Sequence, residues 1–231
     1  MREIVMDTET TGLDPFSGDR IVEIGGVELF NHMPTGRTYH QYINPQRDMP
    51  AGAFAVHGLS EEFLSDKPVF AKVAKAFLDF VGDAQLVIHN ASFDMKFLNA
   101  EFSWMDLPKL PMTRAIDTLE IARRKFPGAQ NSLDALCRRF GIDNSARTLH
   151  GALLDSEILA EVYLELIGGR QPDLVLSVVT GGRGGGETSD ANWIAPKRPK
   201  PLAPRLTAEE KAAHDAFIDQ MGDEAFWKKF Q

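Results

Sequence analysis

The sequence predicts an α/β domain in which a mixed sheet is flanked by helices. Short apolar runs suited to strands lie close together near the start, at residues 4–6, 20–30 and 38–43, with Gly, Asn and Pro between them as hairpin connections require. Helical spacing then takes over at residues 69–81, where Val69, Val73, Ala76, Phe77 and Phe80 recur on one face. The apolar run Leu86-Val87-Ile88 leads through His89-Asn90 into a further helical pattern. Strands first, then strands alternating with helices, describe a mixed sheet covered by helices.

The later elements follow from their end signals. Asn131 and Ser132 are N-cap candidates for a helix over residues 133–140, which Gly141 ends, and Gly168-Gly169 closes the last long helix. Residues 1–170 therefore read as one compact unit. Beyond Leu166 the composition changes. Residues 180–187 (TGGRGGGE) are glycine-rich and expected to be a flexible coil, and residues 197–205 (KRPKPLAPR) are basic, proline-rich and extended. Residues 206–231 regain helical character, with Ala212, Ala213, Phe217, Met221, Phe226, Trp227 and Phe230 as the apolar set. So short a segment cannot build its own core, and its aromatics suit docking on another protein.

Composition bounds the function. The chain has 231 residues, 43% hydrophobic and 25% charged, which excludes wholesale disorder. A formal charge of −8 and a pI near 5.3 argue against a broad basic face for nucleic acid, but not against an enzyme whose acids are neutralised by cations. The single cysteine, Cys137, excludes a disulfide scaffold and a cysteine-based zinc site, and fits a reducing compartment. The first residues lack the apolar run of a signal peptide, and no stretch is expected to span a bilayer.

The informative feature is the placement of four acids. Asp7 and Glu9 follow the apolar run Ile4-Val5-Met6, and residues two apart on a strand share a face. Alone, that pair also fits a solvated strand end. Asp94 lies three and four residues before Phe97 and Leu98, on their apolar stripe. Asp155 precedes Leu159, Val162 and Leu166 at steps of four, three and four. A buried unpaired carboxylate costs several kcal/mol, so each needs a counter-charge or a proton. Lys96 follows Asp94, and no Lys or Arg lies within seven residues after Asp155. Divalent cations are then the economical partner, since Mg²⁺ and Mn²⁺ prefer oxygen ligands and four carboxylates can hold a pair about 3.5–4 Å apart. This reading requires that lysines and arginines do not fill the space between the acids. His150, about 140° around a helix from Asp155, is expected on the loop before that helix, where it can serve as a general base or simply cap or face solvent.

Asp7-Thr8-Glu9-Thr10-Thr11-Gly12, His89-Asn90-Ala91-Ser92-Phe93-Asp94 and His150-Gly151-Ala152-Leu153-Leu154-Asp155 resemble the three motifs of the DEDDh 3′–5′ exonucleases. The fuller resemblance is to the proofreading epsilon subunits of bacterial DNA polymerase III. It covers residues 3–169 and includes Phe54-Ala55-Val56-His57-Gly58-Leu59, residues 131–137 and Asp143-Asn144-Ser145. The resemblance implies a ribonuclease-H-like fold and an exonuclease domain over residues 1–170. It makes Asp7, Glu9, Asp94 and Asp155 ligands of two divalent ions, Mg²⁺ or Mn²⁺, and His150 the general base. Asp7, Glu9, Asp155 and His57 would contact the substrate, a single-stranded 3′ DNA end, and nucleoside 5′-monophosphates would be released. His57 also reads as a turn histidine after strand-like residues 53–56. The family often has an acid five positions before it, where this chain has Gly52. His89 is taken as structural.

The tail resembles the family's tethering region, so residues 171–205 are a linker and residues 206–231 the segment that docks on the polymerase alpha subunit. Gln171, Leu174 and Leu176 look like a sliding-clamp peptide, and equally like a helix-exit turn. A small theta subunit is a further implied partner, a membrane is not, and the implied location is the cytoplasmic, nucleoid-associated replisome. Two other functions share the motifs: an RNA-trimming exonuclease, which typically lacks such a tail, and a catalytically dead bridging subunit, which would not need all four acids and the histidine.

Overall fold

In the computed structural model the described residues are 1–145, 147, 149–169 and 206–222. The chain divides into two units, Met1–Leu176 and Ser177–Gln231. The first opens with three antiparallel strands, β1 (Arg2–Thr10), β2 (Ile21–Phe30) and β3 (Met33–Tyr42), followed by helices α1 (Ala51–His57), α2 (Glu61–Leu64) and α3 (Phe70–Val81). Then come β4 (Gln85–Ile88), α4 (Ala91–Trp104), β5 (Ala115–Asp117), α5 (Thr118–Lys125), α6 (Leu133–Phe140) and α7 (Ala152–Leu166). The sheet order is β3-β2-β1-β4-β5, with β4 and β5 parallel to β1, which is the mixed sheet that the alternation of patterns predicts.

Two apolar layers cover the sheet, and the period of two along β1 decides which side chain enters which. Ile4 and Met6 pack with Phe70, Phe77, Phe97 and Phe102 of α3 and α4. Val5 packs with Leu136, Ile158, Leu159 and Val162 of α6 and α7. Asp7 and Glu9 continue the odd-numbered face towards α7, and Thr8 the even-numbered face towards α4. Strand β1 runs past its apolar core through both acids, because β2 pairs with it as far as Thr10. The acids lie within a paired strand rather than beyond it.

A glycine sets how near α7 comes. Gly25 of β2 is the cross-strand partner of Asp7, on the same face. A Cβ built there would lie 2.2 Å from the backbone of Ala152 and Leu153, so only glycine admits the first turn of α7 against the sheet. Asp155, one turn further on, is thereby held beside Asp7 and Glu9. Asp117, at the end of β5, aligns the other acid-bearing helix: its carboxylate accepts from the backbone N–H groups of Asn90 and Ala91 at the start of α4, and of Leu119 and Glu120 in α5.

The local signals behave unevenly. Ser132 caps α6 by accepting from Ala135 N–H, and Gly141 ends it in the left-handed conformation. Asn131 does not cap; its amide donates to the Ala129 carbonyl. Residues 53–56, expected to be strand-like, are helical in α1: small alanines dominate, extended Pro50 precedes the helix, and Gly58 ends it with φ of 71°. Residues 33–37, short of the expected third strand, extend β3 by pairing with β2 although their side chains are exposed and show no alternation.

In the second unit, α8 (Ala208–Gln220) starts at a capping box between Thr207 and Glu210. Its buried residue is Ile218, which the expected apolar set omitted, whereas Phe217 and Met221 are exposed. The glycine-rich and proline-rich stretches, Gln171, Leu174, Leu176 and the aromatic ending lie outside the described residues. Cys137 is buried and free. Among the described residues no helix is long and apolar enough to cross a membrane.

Gly25→Ala should displace the start of α7, because its Cβ meets backbone and not a movable side chain. The expected result is a lower melting temperature together with weakened divalent-ion binding, read by thermal unfolding and calorimetry; unchanged values for both would contradict this packing.

Candidate active site

The four acids arrive from three elements. Strand β1 supplies Asp7 and Glu9, α4 supplies Asp94, and α7 supplies Asp155. Asp94 and Asp155 each occupy the fourth position of their helix, close to the positive end of its dipole. Glu9, Asp94 and Asp155 are buried, and Asp7 is partly exposed at the floor of a cleft of about 820 Å³ that it shares with Asp155, Arg147 and His150. Ligand atoms of Glu9, His150 and Asp155 all lie within 4.8 Å of one another. His150 sits on the loop before α7, as its spacing from Asp155 predicts. Its ring is about half exposed, Nδ1 lies 3.3 Å from Asp155 Oδ2, and its backbone N–H donates to the Val56 carbonyl.

Burial and mutual repulsion govern the charges. Asp7 is pushed well above the usual carboxylate range by burial, and further by Asp94, Glu9 and Asp155. Glu9 rises to about 8 through burial, then through Asp155 and its cross-strand neighbour Glu23. Burial lifts Asp94 to about 7, although the Thr8 hydroxyl donates to its Oδ1 at 2.7 Å. Glu9 Oε1 is buried without a hydrogen-bond partner among the described residues. A carboxylate-rich cluster with an unsatisfied oxygen suits hard divalent cations, although Asp7 and Asp94 lie outside the group of ligand atoms that Glu9, Asp155 and His150 form.

Asp155 corrects the expectation that basic residues are absent. Arg147 reaches it from eight positions earlier in the chain, on the N-terminal side of Asp155. Its Nε lies 2.5 Å from Oδ1 and its Nη2 lies 2.6 Å from Oδ2. Burial raises Asp155, but Arg147 and His150 outweigh it and the net shift is downward. The missing-partner argument thus fails for Asp155. It stands for Asp7, Glu9 and Asp94, which have no Lys or Arg at ion-pair distance among the described residues. Lys96, the basic residue closest in sequence to Asp94, pairs instead with Asp14.

A second cavity, of about 490 Å³, adjoins Glu9 and is lined mainly by apolar groups of Leu13, Ala53, Val56 and Phe93, with Gly52 at its wall. His57, at the end of α1, also lines it. Its Nδ1 accepts from Leu59 N–H, its Nε2 is buried without a hydrogen-bond partner among the described residues, and burial lowers its pKa. A Cβ at Gly52 would meet nothing within 4 Å, so the missing acid is not a steric necessity. His89 borders the larger cleft, and its Nδ1 is hydrogen-bonded to Thr118 Oγ1. Arg147, Gly25, Thr8 and Asp117 all shape the site and were missed from sequence. Only the paired glycines at 25–26 inside an apolar run offered a signal.

The exonuclease family model matches residues 4–163, which contain all four acids and His150. The DNA polymerase III subunit epsilon of Rickettsia felis is 58% identical over 174 residues, 74% of this chain and 76% of that protein. That of Escherichia coli K12 is 46% identical across 98% of this chain and 97% of its own length. The chain belongs to the exonuclease family, within the DNA polymerase III epsilon subunits. Among solved structures, exonuclease X in complex with 5′ overhanging duplex DNA aligns with a TM-score of 0.56 at 29% identity, over 71% of this chain and 90% of that one. The epsilon match reaches beyond α7 through α8, which the family model does not. Epsilon-family membership brings a metal-dependent 3′–5′ exonuclease activity.

A pH dependence follows from the raised carboxylates. The unfolded chain ionises Glu9 near 4.5 and the folded chain only at about 8. Protonation therefore stabilises the metal-free fold fully below about 4.5, and that stability falls progressively as pH rises from there and is lost by about 8. In EDTA the melting temperature should fall across this window, and saturating Mg²⁺ should restore it. Glu9→Gln should flatten the EDTA profile; a profile equal to that of the parent protein would contradict the assignment.

Proposed function

We propose that this chain hydrolyses the terminal phosphodiester of a mispaired 3′ DNA end, as the proofreading subunit of a bacterial DNA polymerase III. The observation that carries the reading is that Glu9, Asp155 and His150 bring ligand atoms within 4.8 Å of one another, with Asp7 on the cleft that Asp155 and His150 line, in a chain that matches the E. coli epsilon subunit along nearly its whole length.

Asp7, Glu9, Asp94 and Asp155 would hold two divalent ions, Mg²⁺ or Mn²⁺, and the unpartnered Glu9 oxygen supports the fit. Bound there, the ions supply Lewis-acid chemistry, acidifying the attacking water and offsetting charge on the phosphate and the leaving 3′ oxygen. His150 takes the proton of that water. Its half-exposed position on a loop gives the imidazole access to solvent, which carries the proton away. Asp155 lies next to the ring and orients it.

The terminal nucleotide occupies the smaller cavity, whose volume falls within the roughly 300–1,000 Å³ of small-ligand pockets. His57, which lines it, would orient the nucleotide, and the apolar walls would take the base without reading its identity. Asp7, Glu9 and Asp155 lie where the scissile phosphate would pass between cavity and cleft. A chain of charge −8 gains little from counterion release along duplex DNA, so it grips few nucleotides and depends on partners to deliver the end. Mispaired ends then react first because fraying them costs least.

Those partners fit the three-part division: the exonuclease domain at residues 1–170, a linker at 171–205, and a polymerase-docking segment at 206–231 that holds the alpha subunit. Gln171, Leu174 and Leu176 would touch the sliding clamp, and a theta subunit would bind the first domain. The place of action is the cytoplasmic, nucleoid-associated replisome.

Purified protein in Mg²⁺ should shorten a 3′-mispaired primer faster than a matched one and faster than RNA, with EDTA stopping the reaction. Asp7→Ala should abolish cleavage while the fold persists, because it also removes repulsion. His150→Ala should slow it by about 10²–10⁴. Wild-type rates in either variant, or a preference for RNA, would overturn the reading.

A further inference from the structure

The main hydrogen bonds of Arg147 involve three different groups. Nε and Nη2 take both carboxylate oxygens of Asp155, Nη2 also lies 2.8 Å from His150 Nδ1, and Nη1 donates to Asp134 Oδ1 at 2.9 Å. The Arg147 side chain is only 7% exposed. It therefore covers one acid of the cluster and a ring nitrogen of the proposed base together. The same atoms are needed elsewhere if the metal reading holds: Asp155 cannot present both oxygens to a guanidinium and to dications, and a ring nitrogen that accepts from Nη2 is not free to accept a proton from water.

Arg147 also has somewhere to go. It lies on the connection between Gly141, which ends α6, and Gly151, which begins α7. Asp134, in the first turn of α6, is about half exposed and already bonded to Nη1, so a small pivot leaves the charge paired with Asp134 while Asp155 and His150 are freed. Both carboxylates line the same cleft, so the movement needs no rearrangement of the fold.

We propose that Arg147 is a positioning residue that serves as an internal counter-cation. It occupies Asp155 and holds His150 while the cluster is without metal, and binding of divalent ions displaces it onto Asp134. Metal loading and release of the base are then one event, and the unloaded site is kept from water-activating geometry. This rests on the metal reading above and adds to it a competition between a side chain and the metal.

Competition has a sign that support lacks. A residue that merely buttresses Asp155 would weaken metal binding when removed, as outer partners of metal ligands do. A competitor would strengthen it. Mn²⁺ binding to the full chain, followed by the free-ion electron paramagnetic resonance signal, should be about tenfold tighter in Arg147→Gln than in the parent, the scale of one charge-assisted hydrogen bond exchanged for water. Arg147→Lys should fall between them. Equal or weaker Mn²⁺ binding in Arg147→Gln overturns the proposal and leaves the metal site standing; absence of Mn²⁺ binding by the parent protein overturns both. A second measurement avoids the glutamine variant, should it fail to fold. The Arg147 Nε–H resonance, assigned with Arg147→Lys, should move from its ion-paired position as Mg²⁺ is added to the parent protein. A resonance unmoved at saturating Mg²⁺ would overturn the proposal.

Discussion

Burial of carboxylates close to one another is the constraint around which the first unit is arranged. Asp7, Glu9, Asp94 and Asp155 come together only because the sheet and two helices hold them there. Burial and proximity then push the first three far above their ordinary ionisation range. Such a cluster costs stability unless protons, a guanidinium or dications neutralise it. Of these, Arg147 neutralises Asp155, and the raised ionisation of Asp7, Glu9 and Asp94 favours their protonated forms.

The supporting structure follows from that constraint. Gly25 exists as a gap beside Asp7, so that α7 can bring Asp155 in by its backbone. Asp117 gathers N–H groups from the starts of α4 and α5 and so fixes the helix that carries Asp94. The His150 backbone is tied to Val56, one residue before His57, so the proposed base and the proposed nucleotide contact sit on segments clipped to each other. Leu149 packs over Gly58 in the same clip, where a Cβ would meet its Cδ1 at 2.6 Å. A displacement of either segment is therefore felt in both cavities.

Much of the fold was legible because its signals are local. The β1, β2 and β4 runs, the amphipathic α3 and the Ser132–Gly141 ends of α6 each carry their pattern within a few residues. What escaped lacked such a pattern. The exposed start of β3 is held by hydrogen bonds to β2 rather than by apolar alternation. Helix α1 looked strand-like because its alternating alanines and larger apolar residues fit either period, and Pro50 and Gly58 decided for helix. Ile218 was passed over among more conspicuous aromatics.

The site divides in the same way. The sequence by itself determined which acids are anomalous, because a carboxylate on an apolar stripe is visible from periodicity alone, and it determined that His150 lies outside the helix of Asp155. Only the tertiary structure decided what neutralises each acid. Arg147 stands eight residues before its partner across a loop, and no spacing rule links the two. Gly25 meets α7 more than a hundred residues away in sequence. Contacts of that kind depend on how layers pack, and packing is settled by the whole set of buried side chains at once.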